Sequence, residues 1–340
     1  MNAPIYLSYF PYRLNFKYPF RIAHTERTGT DNVYVLLRQG DKTAWGECVF
    51  IPYYQETLET FKTLISNTPL PNNTENIGAY IDYLKNLFPD SYFCIGAIDI
   101  ALHNLHTANT GIQIHEQYNI QTNTKATSFT LGISDDAEME RKFQDNPSME
   151  YYKLKVNESE VNRIISTFKS LTNKPYTIDA NQGFTDKNEV LKLTYQLADE
   201  GVAYIEQPFH KEDFESHAWL KARSPIPVMA DESFQNYADL EKIVKHFDGI
   251  NLKIMKCGGI SEGVKSLKRA QEMELKSIIG CMSESSMVNN ASKQIAGLAD
   301  WIDLDGPLLL TNDLFAEERE TEELVHLLST LSHKVCKLKK

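Results

Sequence analysis

The feature that most constrains this chain is an alternation of short apolar segments with stretches of helical spacing, beginning near residue 126. Each apolar segment predicts a strand, and apolar residues three or four positions apart predict a helix. The predicted strands end about 25 positions apart, which is roughly what one strand, one helix and two short loops need. The predicted strands are Thr127–Leu131, Tyr151–Lys155, Tyr176–Asp179, Ala203–Glu206, Val228–Asp231, Gly249–Lys253, Ser277–Cys281 and Trp301–Leu304. The residues taken at their C-terminal ends are Thr130, Lys155, Asp179, Glu206, Asp231, Lys253, Cys281 and Asp303.

Eight units of this length close into a (β/α) barrel of the TIM type, which places the chain in the α/β class. An open doubly wound sheet is the alternative fold for the same alternation. When such a sheet binds a dinucleotide, a glycine-rich fingerprint follows its first strand, and none follows Thr127–Leu131. We therefore expect a modified barrel over residues 126–310, which forms the catalytic domain.

Residues 1–125 have a different pattern and predict an α+β capping domain. Alternating segments predict strands over Ile5–Phe16, Asn32–Arg38 and Thr43–Glu47. Amphipathic segments predict helices over Thr57–Ile65, Ile77–Leu87 and Cys94–Leu105. The C-terminal segment, residues 311–340, carries leucines at helical spacing, and we expect it to pack back on the capping domain.

Composition excludes several classes of protein. The 340 residues include 46 acidic and 35 basic side chains, so the net charge of −11 argues against binding to nucleic acid. We expect no membrane-bound form, because no apolar run approaches the roughly 20 residues that cross a bilayer. The five cysteines are widely spaced and the N-terminus lacks the features of a signal peptide, so we expect a cytoplasmic protein.

Three acidic residues, Asp179, Glu206 and Asp231, end three consecutive predicted strands. The carboxyl ends of barrel strands meet at one rim, so these carboxylates are expected to lie close together and to repel one another. A cation would relieve the repulsion, and ligands that are all carboxylate oxygens favour Mg²⁺ over Zn²⁺. The alternative is that each carboxylate caps a loop or forms an ordinary ion pair.

Two lysines, Lys155 and Lys253, end the second and sixth barrel strands and are expected to face each other across this rim. A lysine acts as a base only when its pKa falls by about 3 units, which corresponds to ~4 kcal/mol. Burial, a metal ion and a second cation shift the pKa in that direction, and Lys153 is the candidate second cation. Lys256 is a competitor for the role of Lys253, although it is expected to lie in the following loop.

These motifs resemble the enolase superfamily and, within it, the muconate-lactonizing subgroup. The resemblance rests on Trp45-Gly46-Glu47 in the cap, Lys153-Leu154-Lys155, Asn251-Leu252-Lys253 and Gly258-Gly259. The resemblance implies a Lys base, together with Mg²⁺ that stabilises an enediolate. The histidine that a mandelate-racemase arrangement places after the seventh strand is replaced here by Cys281-Met282-Ser283.

One further motif, Asp303-Leu304-Asp305, resembles that of dipeptide epimerases, which implies that Asp303 and Asp305 bind the substrate ammonium. A helix N-cap is the alternative role for these residues. The resemblance also implies substrate contacts at Thr130, at Cys281, Met282 and Ser283, and from a loop over residues 20–30 that contains His24. We therefore expect Mg²⁺-assisted 1,1-proton transfer on a small dipeptide, of the Ala-Ala or Ala-Glu type.

Two other functions remain open at this point. An o-succinylbenzoate synthase or N-acylamino acid racemase would use the same metal and lysines, but its substrate has no ammonium for Asp303 and Asp305. A catalytically silent binding protein would bind a dipeptide or metal without exchanging a proton. A dipeptide that ends in Glu would need a cation to bind its side chain. The resemblance places His24, and not an arginine, at that position, which counts against such a substrate. The sequence leaves open the preferred dipeptide and whether the chain forms a homo-oligomer.

Overall fold

The computed structural model describes residues 3–22, 25–52, 54–122 and 125–316. The first part of the chain forms a three-stranded antiparallel sheet with strands β1 (Ile5–Ile22), β2 (Thr25–Gln39) and β3 (Lys42–Phe50). Four helices follow: α1 (Leu58–Asn67), α2 (Ile77–Leu87), α3 (Tyr92–Thr110) and α4 (Ile114–Gln117). The predicted α+β character of this part is confirmed.

Helix α3 is buried along nearly its whole length because it lies between the sheet and the rest of the molecule. The Glu56 carboxylate accepts hydrogen bonds from Phe93 N and Cys94 N, which satisfies two N–H groups of the first turn. Gly46 lets β3 pass directly over the helix, since a Cβ there would lie 2.0 Å from the carbonyl oxygen of Ala97. The sheet and α3 therefore pack closely against each other.

The second part of the chain is an eight-stranded parallel sheet whose strands are neighbours in chain order, which confirms the predicted barrel. Its strands are β4 (Ser128–Leu131), β5 (Tyr151–Lys155), β6 (Tyr176–Asp179), β7 (Ile205–Glu206), β8 (Val228–Ala230), β9 (Gly249–Lys253), β10 (Lys276–Gly280) and β11 (Trp301–Asp303). Side-chain hydrogen bonds join the last strand to the first: Leu304 N donates to Thr127 Oγ1, and Thr130 N donates to Asp305 Oδ2. The barrel is thus nearly closed.

Helices connect successive barrel strands and cover the outside of the sheet. They are α5 (Asp136–Asp145), α6 (Val161–Leu171), α7 (Lys187–Asp199), α8 (Phe214–Lys221), α9 (Leu240–His246), α10 (Ile254–Cys257), α11 (Ile260–Glu272) and α12 (Ser286–Ile295). Each of α6 and α11 buries one apolar stripe, as the spacing of its leucines, isoleucines and valines predicts. After β11 the described chain continues as a short 3-10 turn, Gly306–Leu309.

The end of the described chain returns to the cap. Thr311 N donates to Asn15 O, and the Phe315 ring packs against the rings of Tyr34 and Trp45. We propose domain boundaries at residues 1–125, 126–310 and 311–340, of which residues 317–340 lie outside the described residues. In the parts of the chain that the structure describes, no helix combines the length and the apolar character that a membrane span needs.

One sequence expectation about the cap is wrong. The segment predicted as a loop over residues 20–30 is the paired end of a long β-hairpin, in which Phe20 pairs with Arg27 and Arg21 pairs with Glu26. The hairpin contacts the barrel, because Ile133 N donates to Arg21 O and Arg27 Nη2 donates to Ser283 Oγ. This hairpin end therefore lies at the rim of the barrel as an ordered strand pair.

Candidate active site

The predicted acidic residues meet at the carboxyl-terminal rim of the barrel. Asp179 is in register with Lys155 on one side and with Glu206 on the other, and Asp231 directly follows β8. One carboxylate oxygen from each of Asp179, Glu206 and Asp231 lies within 4.8 Å of the others, and all three side chains are buried. We call this group the acidic triad.

Each residue of the acidic triad has one oxygen that accepts from a donor outside the triad. Asn181 N donates to Asp179 Oδ1 at 3.0 Å, Asn251 Nδ2 to Glu206 Oε1 at 2.8 Å, and Lys256 Nζ to Asp231 Oδ1 at 2.7 Å. We call these three the anchored oxygens. Because they are held from outside the triad, they fix the rotamers of the three carboxylates.

The other oxygen of each carboxylate faces a lysine, and we call these three the lysine-facing oxygens. Lys155 Nζ donates to Asp179 Oδ2 at 2.5 Å, and Lys253 Nζ donates to Asp231 Oδ2 at 2.7 Å. Lys153 Nζ lies 2.9 Å from Asp179 Oδ2 and 2.8 Å from Glu206 Oε2. The contact with Glu206 Oε2 falls outside hydrogen-bond geometry, so this buried oxygen accepts no hydrogen bond.

The charges of this cluster determine its pKa values. Burial raises the pKa of Glu206, and the neighbouring Asp179 raises it further, to about 8. Burial also raises the pKa of Asp179, but Lys153 and Lys155 outweigh it and leave that pKa below its usual value. Burial lowers the pKa of Lys253, yet Asp231 outweighs it and holds the pKa well above its usual value. A cation shared with Asp231 would weaken that attraction, which is the direction a general base requires.

The donor set fits a hard divalent cation. Its three residues offer only carboxylate oxygens, one oxygen from each lies within 4.8 Å of the others, and the buried Glu206 Oε2 accepts no hydrogen bond. These features suit Mg²⁺, which prefers oxygen ligands and keeps other positions for water or substrate. Asp179, Glu206 and Asp231 are therefore the residues that would hold it.

The Asp303-Leu304-Asp305 motif lies at the end of β11, on the same side of the cavity as Lys153. Asp303 Oδ2 accepts a hydrogen bond from Lys153 Nζ at 2.7 Å, and its Oδ1 accepts one from Ser128 Oγ at 2.6 Å. Asp305 Oδ2 accepts from Thr130 N at 2.5 Å, and burial, followed by the charge of Asp303, raises the pKa of Asp305 to about 6. Both carboxylates line the cavity at the rim.

The structure brings most of the other predicted site residues to this same cavity. Thr130, Cys281, Met282 and Ser283 line it together with Lys153, Lys155 and Lys253. His24 lies outside the described residues. The segment over residues 20–30, which was expected to contact substrate, contributes Phe20 and Arg27 to the wall of the cavity. The sequence did not assign the other wall residues to the site: Phe16, Tyr18, Tyr54 and Glu232. Tyr18 lies on β1, which continues past its predicted end at Phe16, and recognising that continuation is the signal that would have brought Tyr18 into the site.

Comparisons with known proteins agree with this arrangement. Residues 137–318 match the family model described as enolase C-terminal domain-like. The chain is 33% identical to the L-Ala-D/L-Glu epimerase of Bacteroides thetaiotaomicron over 316 residues, which cover 91% of this chain and 82% of that protein.

Solved structures give the same result for the fold. One of them is an enolase family member from Agrobacterium tumefaciens with homology to dipeptide epimerases, which has bound sodium and L-Ala-L-Glu. It superimposes with a TM-score of 0.80 at 28% identity, and the match covers 91% of this chain and 94% of that one. The dipeptide epimerase of Enterococcus faecalis, complexed with Mg and L-Leu-L-Tyr, superimposes with a TM-score of 0.83 at 24% identity, covering 92% of each chain.

Proposed function

This chain belongs to the enolase superfamily, and we propose that it is a dipeptide epimerase, which inverts the α-carbon next to the C-terminal carboxylate of its substrate. The observation that carries the proposal is the pair of lysines on opposite sides of the acidic triad. Lys155 contacts Asp179 from β5, and Lys253 contacts Asp231 from β9. Two opposed amines are what inversion at one carbon requires, because the proton leaves from one face and returns to the other.

The acidic triad supports the first requirement of the reaction, which is to hold the substrate carboxylate between the lysines. Asp179, Glu206 and Asp231 would hold Mg²⁺. When bound, the ion supplies positive charge that stabilises the negative charge developing on the substrate carboxylate as the α-proton leaves. Lys153 adds a fixed positive charge beside Asp179 and Glu206. It thereby contributes to charge stabilisation without taking part in proton transfer.

The proton transfer is assigned to the two opposed lysines. The neutral amine of one lysine takes the α-proton and becomes an ammonium, while the ammonium of the other delivers a proton to the opposite face of the carbon. Each turnover therefore exchanges the protonation states of Lys155 and Lys253. Both amines must then exchange protons with water, so substrate deuterium content in D₂O reports on the reaction directly.

The Asp303-Asp305 pair supports a dipeptide substrate, because two carboxylates at the cavity wall suit a free ammonium. One observation keeps a second candidate function in view. Asp303 already accepts from Lys153 and Ser128, so its charge is compensated without a substrate. An N-acylamino acid racemase or o-succinylbenzoate synthase, whose substrate has no ammonium, is therefore the second candidate.

We propose that the preferred dipeptide ends in an acidic residue, as in Ala-Glu. Arg27 lines the same cavity as both lysines, with Nη2 donating to Ser283 Oγ at 3.0 Å and the guanidinium 5.6 Å from the Phe16 ring. Such a cation at the wall would pair with a carboxylate on the substrate side chain. The similarity to an L-Ala-D/L-Glu epimerase supports the same substrate. The cytoplasmic location and the homo-oligomeric state remain predictions.

The test is a panel of substrates in D₂O with Mg²⁺, scored by proton NMR for loss of the α-proton signal and for epimer formation. The panel contains L-Ala-L-Glu, L-Ala-L-Ala, L-Ala-L-Leu and an N-succinylamino acid. We expect L-Ala-L-Glu to be epimerised at least tenfold faster than L-Ala-L-Leu, and the N-succinyl compound to be inert. Faster turnover of the N-succinyl compound would establish the second candidate instead.

Variants of two arginines sharpen the substrate assignment. Arg27→Met should reduce kcat/KM for L-Ala-L-Glu by about tenfold or more while leaving that for L-Ala-L-Leu within a factor of about three. Arg13→Met is the matched control, because Arg13 lies on the same hairpin but pairs with Asp31 at the exposed surface. An equal loss for both substrates in Arg27→Met would assign Arg27 to the shape of the hairpin and not to recognition.

A further inference from the structure

Lys256 is a fully buried lysine that the proposed proton transfer does not use. It lies in the short helix α10, three residues after Lys253, and is only 1% exposed. Burying an ammonium is unfavourable unless its donors are satisfied. A lysine buried beside the acidic triad is therefore expected to have satisfied donors and a structural or functional role.

The amine of Lys256 donates to Asp231 and to strand β9. Its Nζ donates to Asp231 Oδ1 at 2.7 Å, to Asp231 O at 2.6 Å and to Asn251 O at 3.3 Å. Two of these acceptors are backbone carbonyls, which do not move independently of the barrel. Lys256 is therefore locked in place, and it locks the Asp231 carboxylate through Oδ1.

The fold also fixes the C-terminal end of helix α10, which carries Lys256. Helix α10 ends at Gly258 and Gly259, whose φ angles of 97° and 110° lie in the left-handed region. Asp99 of the cap accepts from Ile260 N at 2.5 Å and from Ser261 N at 3.1 Å, directly after these glycines. A Cβ at Gly259 would lie 2.3 Å from Asp99 Oδ2, so this tight contact requires glycine. The cap thus fixes the end of the helix that carries Lys256.

Lys253 has much weaker support. Its side chain is 12% exposed and lines the cavity, and it donates to Asp231 Oδ2 at 2.7 Å. The two lysines therefore share one carboxylate, but only Lys256 also binds backbone carbonyls. A cation that takes an oxygen of Asp231 would displace the lysine with fewer contacts.

We propose that Lys256 is a positioning residue, which keeps Asp231 Oδ1 engaged so that Oδ2 is the oxygen presented to Mg²⁺ and Lys253 is the amine released for catalysis. This inference rests on the proposed function. The other two triad residues have neutral donors on their anchored oxygens, from Asn181 and Asn251. Among the three, Asp231 has a charged donor on its anchored oxygen, and a hydrogen bond from an ammonium is stronger than one from a neutral N–H.

The test compares Lys256→Met and Lys256→Gln with Lys221→Met, a matched control. Lys221 is a partly buried lysine that donates to the carbonyls of Val244 and Phe247, away from the acidic triad. Mg²⁺ binding to EDTA-stripped protein is measured by isothermal titration calorimetry, and folding by thermal unfolding without metal. We expect Lys256→Met to raise the Kd for Mg²⁺ by about tenfold or more, Lys256→Gln to raise it less, and Lys221→Met to leave it unchanged.

A second readout tests the release of Lys253. At saturating Mg²⁺, Lys256→Met should slow α-proton exchange in D₂O at least tenfold more for one epimer than for the other. The affected epimer should be the one whose exchange is abolished in Lys253→Ala. A Kd equal to wild type, or equal slowing of both epimers, would overturn the role of Lys256. If Lys256→Met does not fold, the same criteria apply to Lys256→Gln. A wild-type protein that binds no Mg²⁺ would overturn the proposed function as well.

Discussion

The two sides of the acidic triad have similar chemistry but are supported differently. On the Lys155 side, Asp179 is anchored by a backbone N–H, that of Asn181, and both Lys153 and Lys155 face its other oxygen. On the Lys253 side, Asp231 is anchored by a side chain, that of Lys256. One side is therefore determined by the backbone of the β6 turn, and the other by a buried charge.

The difference shows how a near-symmetric reaction can be built on an asymmetric barrel. The chain turns directly after β6, where Asn181 has a left-handed φ of 42°, and the Asn181 N–H in this turn donates to Asp179 Oδ1. The equivalent N–H after Asp231, that of Ser233, donates to Gln207 Oε1 and not to the Asp231 carboxylate. The ammonium of Lys256, which follows strand β9, is the donor to Asp231 Oδ1 instead. We expect substitutions to separate the two sides, and the predictions below are ordered by the size of that separation.

The largest separation is expected from the catalytic lysines themselves. Lys155→Ala and Lys253→Ala should each reduce epimerisation by about 10²-fold to 10⁴-fold, because each removes one of the two acid–base groups. Each variant should still exchange the α-proton of one epimer with D₂O, and the two variants should retain opposite epimers. Proton NMR of both epimers of L-Ala-Glu measures this directly.

One result would contradict the proposed roles of the two lysines. If both variants retained exchange of the same epimer, only one amine would contact the α-carbon, and the opposed arrangement would not operate. Lys245→Ala is a suitable control, because Lys245 is exposed on helix α9.

A smaller separation is expected at Asp303. Asp303→Asn removes a charge that faces Lys153 on the Lys155 side and that would bind the substrate ammonium. We expect KM for L-Ala-L-Glu to rise by about tenfold or more, with a smaller change in kcat. Steady-state kinetics with the dipeptide and with its N-acetyl derivative measures the effect. Equal loss for both compounds would mean that Asp303 acts on Lys153 and not on the ammonium.

The smallest effect is expected from His217, a buried histidine of helix α8 that contacts Gln207. Its Nδ1 donates to Asp213 O, so its Nε2 accepts, facing Gln207 Nε2 at 3.3 Å. Burial lowers the pKa of His217 from 6.5 to about 4. The unfolded chain therefore binds more protons between these values, and folding stability falls as the pH drops from about 6.5 to 4, by up to about 3 kcal/mol.

Chemical unfolding at pH 7 and pH 5 tests this expectation. Wild type should lose more stability between the two pH values than His217→Gln, which cannot titrate in this range. Identical losses in the two proteins would show that His217 does not carry the pH dependence.

Much of the fold could be predicted from the sequence. The strands predicted at Tyr151–Lys155, Tyr176–Asp179 and Gly249–Lys253 have the observed bounds, and the helix at Ile77–Leu87 does as well. These predictions succeed because a buried parallel strand is a short apolar run and its end is marked by a polar turn. The short strand β7, Ile205–Glu206, is predicted longer than it is, because the chain before it is apolar without pairing.

The site could be predicted only in part. The strand-end residues follow from the barrel, but the hairpin end that carries Arg27 was taken for a loop, since its polar residues do not alternate strongly with apolar ones. Lys256 was expected in a loop as a competitor for the base. It lies instead in helix α10, with its amine on Asp231, a contact that no local pattern indicates.

What the sequence alone determined is the order of chemistry around the rim: lysine, acid, acid, acid, lysine at the ends of five successive strands. Because the strands are parallel and joined by helices, their carboxyl ends all lie at one rim of the barrel, and these side chains meet there. What only the tertiary structure decided is which oxygen accepts from which lysine, and which segment of the cap closes the cavity. Those contacts join residues far apart in the chain, and their geometry depends on the packing of the whole barrel against the cap.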